Sequence, residues 1–234
     1  MKSYIDELDR NIFNFVEYEG YDDRYPSLSM QAFSSDFYDE IRHASRRLFQ
    51  IFCKAAKVFQ MAPDDFARNM DMPDNLIPYL HKSNALGLPT WLSRFDFVLD
   101  VNGNLQMVEL NADTPCFLIE SYYANEVAAN YVGRKHPNIE CRNELHTFLK
   151  RMYDAVLSAK YGRNQYESMR ANRESLPKDS FVFSCFHDYF EDYGTTQFLM
   201  KELKTACPEA DTRFISFYDM KIDDDGIPLA DGSH

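Results

Sequence analysis

Glycine is scarce in this chain of 234 residues. Only eight occur, and the closest pair, Gly226 and Gly232, lies six apart with no lysine after it. Neither a GxGxxG nor a GxxxxGK phosphate loop is therefore encoded. The five cysteines, Cys53, Cys116, Cys141, Cys185 and Cys207, are odd in number and never closer than 22 residues. That spacing excludes a CxxC zinc site and argues against a disulfide framework, so reduced thiols are expected. No apolar run approaches the roughly 18 residues a membrane span requires. The opening MKSYIDELDR lacks the apolar core of a secretory signal, and a cytoplasmic location follows as the default. Basic charge is short as well: 25 Lys and Arg stand against 37 Asp and Glu, a net charge of −12. Such a chain repels phosphate backbones, so neither nucleic acid nor membrane is an expected partner.

What is present suits a folded protein. Hydrophobic residues make up 45% and aromatics 15%, enough to bury a core in one large domain or two small ones at roughly 100–200 residues each. From Ser35 to Met61 the positions Phe37, Ile41, Ala44, Leu48, Ile51, Ala55 and Val58 step by four and three, which predicts one long helix with a buried stripe. Ser34 and Ser35 supply its start and Pro63 stops it. Short helices are expected after Pro63 and after Pro73, followed by a turn at Gly87, Leu88 and Pro89. A helix over about 140–159 carries Leu145, Phe148, Leu149, Met152 and Val156 on one face. Residues 160–179 are polar and read as a surface connection. Phe181 to Phe186, Thr195 to Ala206 and Arg213 to Tyr218 then read as strand, helix and strand, a parallel pair with a crossover.

Between the helices lies a hairpin signal: Arg94 to Val101, then Asn102 and Gly103, then Asn104 to Asn111. A two-residue turn makes partners sum to 205, placing Asp96 opposite Glu109 and Arg94 opposite Asn111 on one face. Phe95 opposite Leu110 and Phe97 opposite Val108 form the apolar face. Two carboxylates about 5 Å apart at an effective dielectric near 20 repel by about 3 kcal/mol before screening. A hard divalent cation would neutralise them, since Asp96, Glu109 and the Asn111 oxygen are all oxygen donors and magnesium takes one or two carboxylates plus phosphates. Arg94 could hold a phosphate or a carboxylate with its planar fork. The alternative is a half-exposed sheet face with hydrated charges and Arg94 paired to Asp96. Downstream, Asp113, Thr114 and Pro115 read as the start of a helix running to about Tyr131, whose free N–H groups at Thr114 and Cys116 would suit an anion, or Thr114 is a plain cap.

The string R-F-D, the hairpin, and then E-L-N-A-D-T-P resembles the glutathionylspermidine synthase family of ATP-grasp carboxylate–amine ligases. The resemblance rests on Arg94, Asp96, Glu109, Asn111, Ala112, Asp113 and Thr114, and on Glu191, Asp192, Gly194 and Thr195, which look like the family's later E-D-x-G-T element. It implies that Asp96, Glu109 and Asn111 ligate Mg2+ bridging the ATP phosphates. Arg94 would contact the transferred phosphoryl group and the substrate carboxylate. Thr114 and Cys116 would line a glutathione-like peptide site, although the family usually has a hydroxyl residue where Cys116 stands, and Glu191 and Asp192 would lie near a polyamine-like amine. The reaction implied is phosphoryl transfer from ATP to a peptide carboxylate, then attack of the amine on the acyl phosphate.

In that family a nucleotide-binding ATP-grasp portion follows this region, and the chain stops at 227–234, about where it would begin. The resemblance therefore implies the front part of a ligase that alone neither binds ATP tightly nor ligates. The amidase half of bifunctional relatives has no counterpart. The expected fold is α/β: a helical N-terminal part around an antiparallel hairpin over 1–160, then a Rossmann-like pre-ATP-grasp βαβ unit over 161–234. The rival readings are a non-catalytic acidic binding module and a metal-dependent phosphohydrolase using Asp96, Asp100 and Glu109.

Other groups read as structural. Cys185 beside His187 is an inert buried thiol rather than a catalytic pair. His43, His81, His136, His146 and His234 show no ligand spacing and suit surface or capping roles. Asp223 to Asp225 lack the other EF-hand ligands and read as a solvated turn. The aromatic opening, Phe13 to Tyr25, either packs over the core or acts as a lid.

Overall fold

A computed structural model of the chain describes residues 3–17, 24–86, 90, 92–113, 116–172 and 180–222. The fold is mixed α/β, with one antiparallel and one parallel pair of strands. Contacts group it into two units, Ser29–Pro115 and a second that joins Met1–Leu28 to Cys116–His234. This grouping differs from the expected division at about residue 160. Among the described residues no helix is long and apolar enough to cross a membrane.

The unit formed by residues 29–115 contains α1 (Ser35–Gln60), α2 (Asp64–Asn69), α3 (Ile77–Leu86) and a hairpin of β1 (Arg94–Leu99) and β2 (Leu105–Asn111). Ser34 caps α1 as expected, its side chain accepting from the Phe37 N–H. The stripe on α1 is a correction: none of its residues is fully buried, and Ile51 and Val58 are 57% and 70% exposed. Past Leu48 the covered row slides by one residue to Phe52, Ala56 and Phe59. Both rows satisfy helical spacing, and the larger rings win: Phe52 packs at 5.8 Å from Phe95 and Phe59 at 5.7 Å from Phe66. The turn expected at residues 87–89 lies outside the described residues.

His81 ties three helices of this unit together. Its Nδ1 lies 2.8 Å from the Gln60 carbonyl at the end of α1, and its Nε2 lies 2.9 Å from Asp64 Oδ1 at the start of α2. Both partners are acceptors, so both ring nitrogens must carry hydrogen and the imidazolium is the form that fits.

The second unit holds the core. After a 3-10 turn (Tyr4–Glu7), Phe13, Phe15 and Val16 are buried, so the described part of the aromatic opening packs over the core. A π-helical turn (Ile119–Ala124) runs into α4 (Asn125–Tyr131), followed by α5 (Ile139–Tyr161) and α6 (Arg163–Ala171). On α5 the buried ridge is Leu145, Leu149, Tyr153 and Leu157, whereas Val156 is exposed. The polar stretch read as a connection is in part α6, whose Tyr166 is buried and donates its hydroxyl to Asp154 at 2.8 Å. Then β3 (Ser180–Phe183), α7 (Phe190–Ala206) and β4 (Asp211–Phe214) form the expected strand–helix–strand element, with β3 and β4 parallel. Helix α7 starts five residues before the expected Thr195, and Gly194 is buried inside it. A Cβ there would lie 2.3 Å from the Ile12 carbonyl oxygen, which requires glycine.

A charged group is sealed into this core. Glu202 on α7 is 1% exposed. It accepts from Arg142 at 2.7 and 3.1 Å and pairs with His146, while Arg142 also bonds Glu126. Burial alone pushes the Glu202 carboxyl up, but the hydrogen bonds from Arg142 and His146 outweigh it and hold it below its ordinary value. His146 thus serves a buried ion pair. His136 is buried too, with neither ring nitrogen partnered among the described residues, and desolvation lowers its pKa. Surface or capping roles do not describe either residue.

Removing one partner of a buried pair strands the other, so Glu202→Gln should cost about 3 kcal/mol in chemical denaturation. The stabilisation Glu202 provides is present above its ordinary value and lost as pH falls through the lower folded value. His81 has the opposite sign, its pKa being raised by the hydrogen bonds to Asp64 and Gln60. Its contribution is complete below the ordinary histidine value and lost as pH rises through the folded one. Comparing the denaturation midpoint of His81→Gln with the parent across that range should show the difference vanish at the alkaline end.

Candidate functional site

The hairpin brings together the four residues expected on one face. Register pairs Arg94 with Asn111, Phe95 with Leu110 and Asp96 with Glu109. The turn that produces this is not the expected one. Asp100 N donates to the Asn104 carbonyl and Gly103 N to the Asp100 carbonyl, leaving a three-residue loop of Val101, Asn102 and Gly103, with Gly103 at φ 83°. Partners near the turn accordingly sum to 204: Leu99 with Leu105, Val98 with Gln106, and Phe97 with Met107 rather than Val108. A bulge between Asp96 and Phe97 takes up the difference. Val108 is the extra residue and is 58% exposed.

Arg94 offsets one of the two facing acids. Its Nε and Nη2 donate to the two Asp96 oxygens at 2.6 and 2.9 Å, and Nη2 also lies 4.0 Å from Glu109 Oε1. Asn111 Nδ2 donates to the same Glu109 oxygen at 2.8 Å. The Arg94 hydrogen bond holds the Asp96 carboxyl below its ordinary value. Asp100 is occupied differently: it accepts from the Asn102 and Asn104 backbone N–H groups and from Asn104 Nδ2, all within 2.8–2.9 Å. Its carboxylate closes the hairpin loop, which counts against the phosphohydrolase reading.

Among the described residues no group of three or more His, Cys, Asp or Glu side chains is placed to hold a metal ion. Two carboxylates and one amide oxygen fit magnesium bound partly through phosphate oxygens, and do not make an all-protein cage. Arg94, Asp96 and Glu109 together carry a formal charge of −1, so adding a divalent cation leaves +1, a suitable seat for a phosphate.

Of the remaining expected residues, Cys116, Glu191 and Asp192 belong to the other unit. Thr114 and Pro115 are outside the described residues. Cys116 is half-buried, and the helix expected to open beside it begins only at Ile119, after a backbone reversal at Phe117 with φ 73°. Leu118 is the N-cap of that helix, and Glu120 stands in its first turn. Glu191 and Asp192 occupy the first turn of α7. Cys185 is buried, with burial pushing its thiol up, and His187 pairs with Ser216 Oγ at 2.9 Å. The catalytic Cys–His reading is thereby excluded. The expected Asp223–Asp225 turn lies outside the described residues.

Sequence reasoning missed Glu202, Arg142 and His146. The available signal was an acid, Glu202, four residues after the apolar Phe198 on the same helix face, opposite a helix with basic residues at i and i+4.

A family model described as glutathionylspermidine synthase preATP-grasp matches residues 4–232. No curated protein matches the chain.

Because the Arg94 hydrogen bond is the largest cause holding the Asp96 carboxyl low, ahead of the contact with Glu109, Arg94→Ala should move its titration up toward the ordinary range. Carbon-detected NMR of the side-chain carboxyl against pH reads this directly.

Proposed function

The chain belongs to the glutathionylspermidine synthase pre-ATP-grasp family, and from that membership we propose that it forms the substrate- and magnesium-binding part of an ATP-dependent carboxylate–amine ligase. The observation that supports this most is the meeting of Arg94, Asp96, Glu109 and Asn111 on one face of the hairpin. In this reading Asp96, Glu109 and Asn111 hold Mg2+ shared with ATP. When bound, the ion withdraws charge from the phosphoryl oxygens. Arg94 exchanges its fork on Asp96 for one on the transferred phosphoryl group and the peptide carboxylate, which frees the carboxylate oxygens it now occupies. Its planar donors then orient the two reactants, a contribution of positioning rather than of proton transfer.

Thr114 and Cys116 are assigned to a glutathione-like peptide, and Glu191 and Asp192 to a polyamine-like amine that attacks the acyl phosphate. The hairpin donors satisfy only part of a magnesium shell, and no glycine-rich phosphate loop is encoded. This chain alone is therefore expected to bind ATP weakly and not to ligate.

Activity should appear when the chain is fused to the ATP-grasp domain of a family member and supplied with ATP, Mg2+, glutathione and spermidine. ADP release should then require both peptide and amine. Asp96→Asn and Arg94→Ala should each lower the rate by about 100-fold or more. Release that proceeds without amine would identify a phosphohydrolase, and ligation by the unfused chain would contradict the weak-binding expectation.

A further inference from the structure

Helix α1 carries two rows of apolar side chains, and its own unit covers only one. Phe52 and Phe59 pack on rings of the hairpin and of α2, whereas Ile51, Val58 and Met61 are 57%, 70% and 64% exposed. Among the described residues of 29–115 the only buried hydrophobic side chains are Ala67 and Ile77. An apolar surface this continuous, on a unit with so little core, marks an interface.

Alongside the outer row lies a groove of about 670 Å3. It runs on α1 from Asp36 to Ile51, past Ala44 and Leu48, and its other side is made by Phe97, Leu105 and Met107 of the hairpin. Ala44 stands at the midpoint of that run, where a single methyl group lets another helix approach closely.

The polar residues beside the groove change sign along the helix. Asp36, Glu40, His43, Arg47, Gln50 and Lys54 step by four and three, so they share one flank, and its charge runs from acidic to basic. The gradient complements the helix dipole, but its place beside an uncovered apolar row gives it a second use. Among the described residues none of Asp36, Glu40 and Lys54 has an ion-pair partner.

A parallel copy of α1 would set acid on acid and base on base. An antiparallel copy turned about Ala44 does the reverse, bringing Glu40 to the partner's Arg47 and Asp36 to the partner's Lys54, with Ile51 over the partner's Phe37. Each pair then occurs twice, as an isologous interface requires.

We propose that a second copy of this chain occupies the groove, the two α1 helices packing antiparallel about a two-fold axis at Ala44. The inference concerns assembly and does not rest on the ligase reading.

Sedimentation equilibrium of the chain at micromolar to sub-millimolar concentrations tests it, and a dimer is expected. Ile51→Asp, at an exposed position, should leave the far-UV circular dichroism unchanged and raise the dimer dissociation constant by about 100-fold or more. Arg47→Glu should raise it by about tenfold, and adding Glu40→Arg to that variant should restore most of the loss. On mild oxidation Ala44→Cys should link two copies, while Ile51→Cys, far from its own counterpart in the antiparallel arrangement, should not. A monomer, a dimer indifferent to Ile51→Asp, or linking through residue 51 as readily as through residue 44 overturns the proposal. So does a monomeric fusion to the ATP-grasp domain, since the added domain would then be what covers the groove. The readout is mass and cross-linking, so a failed ligation assay leaves it intact.

Discussion

Asp96 and Glu109 face each other across an antiparallel ladder, and the rest of the hairpin answers to that repulsion. Arg94 lies two residues earlier on the same strand face and reaches Asp96 with both arms of its fork. Asn111, two residues later on the facing strand, donates to Glu109. The loop geometry alone would not create this meeting. With partners summing to 204 throughout, Asp96 would stand opposite Val108, and Glu109 opposite Phe95 on the apolar face. The bulge at Val108 returns Glu109 to the charged face. A bulge beside a functional cluster re-aims a side chain that the regular pleat would misdirect.

That history explains why the site was legible although the turn was not. Asn102 and Gly103 mark a reversal, and alternation marks two strands, but neither distinguishes a two-residue loop from a three-residue loop with a compensating bulge. The two departures cancel at Arg94, Asp96, Glu109 and Asn111, and persist at Phe97, Met107 and Val108. On α1 the start at Ser34 was readable because capping is local. The covered row was not, because Ile51 and Phe52 both fit the helical period and only the position of Phe95 decides between them. Helix α6 was hidden for a related reason: one aromatic anchor, Tyr166, holds it, and its composition is otherwise that of a loop.

The core of the other unit shows what periodicity cannot report. Glu202 sits where the helix face calls for an apolar side chain, and it is tolerated because Arg142 and His146 supply hydrogen bonds that exceed the cost of burial. Such an arrangement gains little over a well-packed apolar core, but it is unforgiving of misplacement and so favours one packing of α5 against α7. The E-D-x-G-T string splits along the same line. Gly194 is accounted for by the Ile12 carbonyl that a Cβ would strike. Glu191 and Asp192 stand in the first turn of α7, where carboxylates complement the helix dipole.

Charge bookkeeping then constrains the chemistry more tightly than the net −12 does. The hairpin cluster sums to −1, which repels a free phosphate and only weakly attracts a metal ion, since Arg94 already occupies one carboxylate. A divalent cation and a phosphate arriving together change that balance. The ion compensates both acids while the phosphate offers Arg94 an equivalent planar partner, so the guanidinium loses no hydrogen bonds in leaving Asp96. In the proposed reading the cluster would therefore prefer the pair to either component, as binding of a magnesium–nucleotide substrate requires.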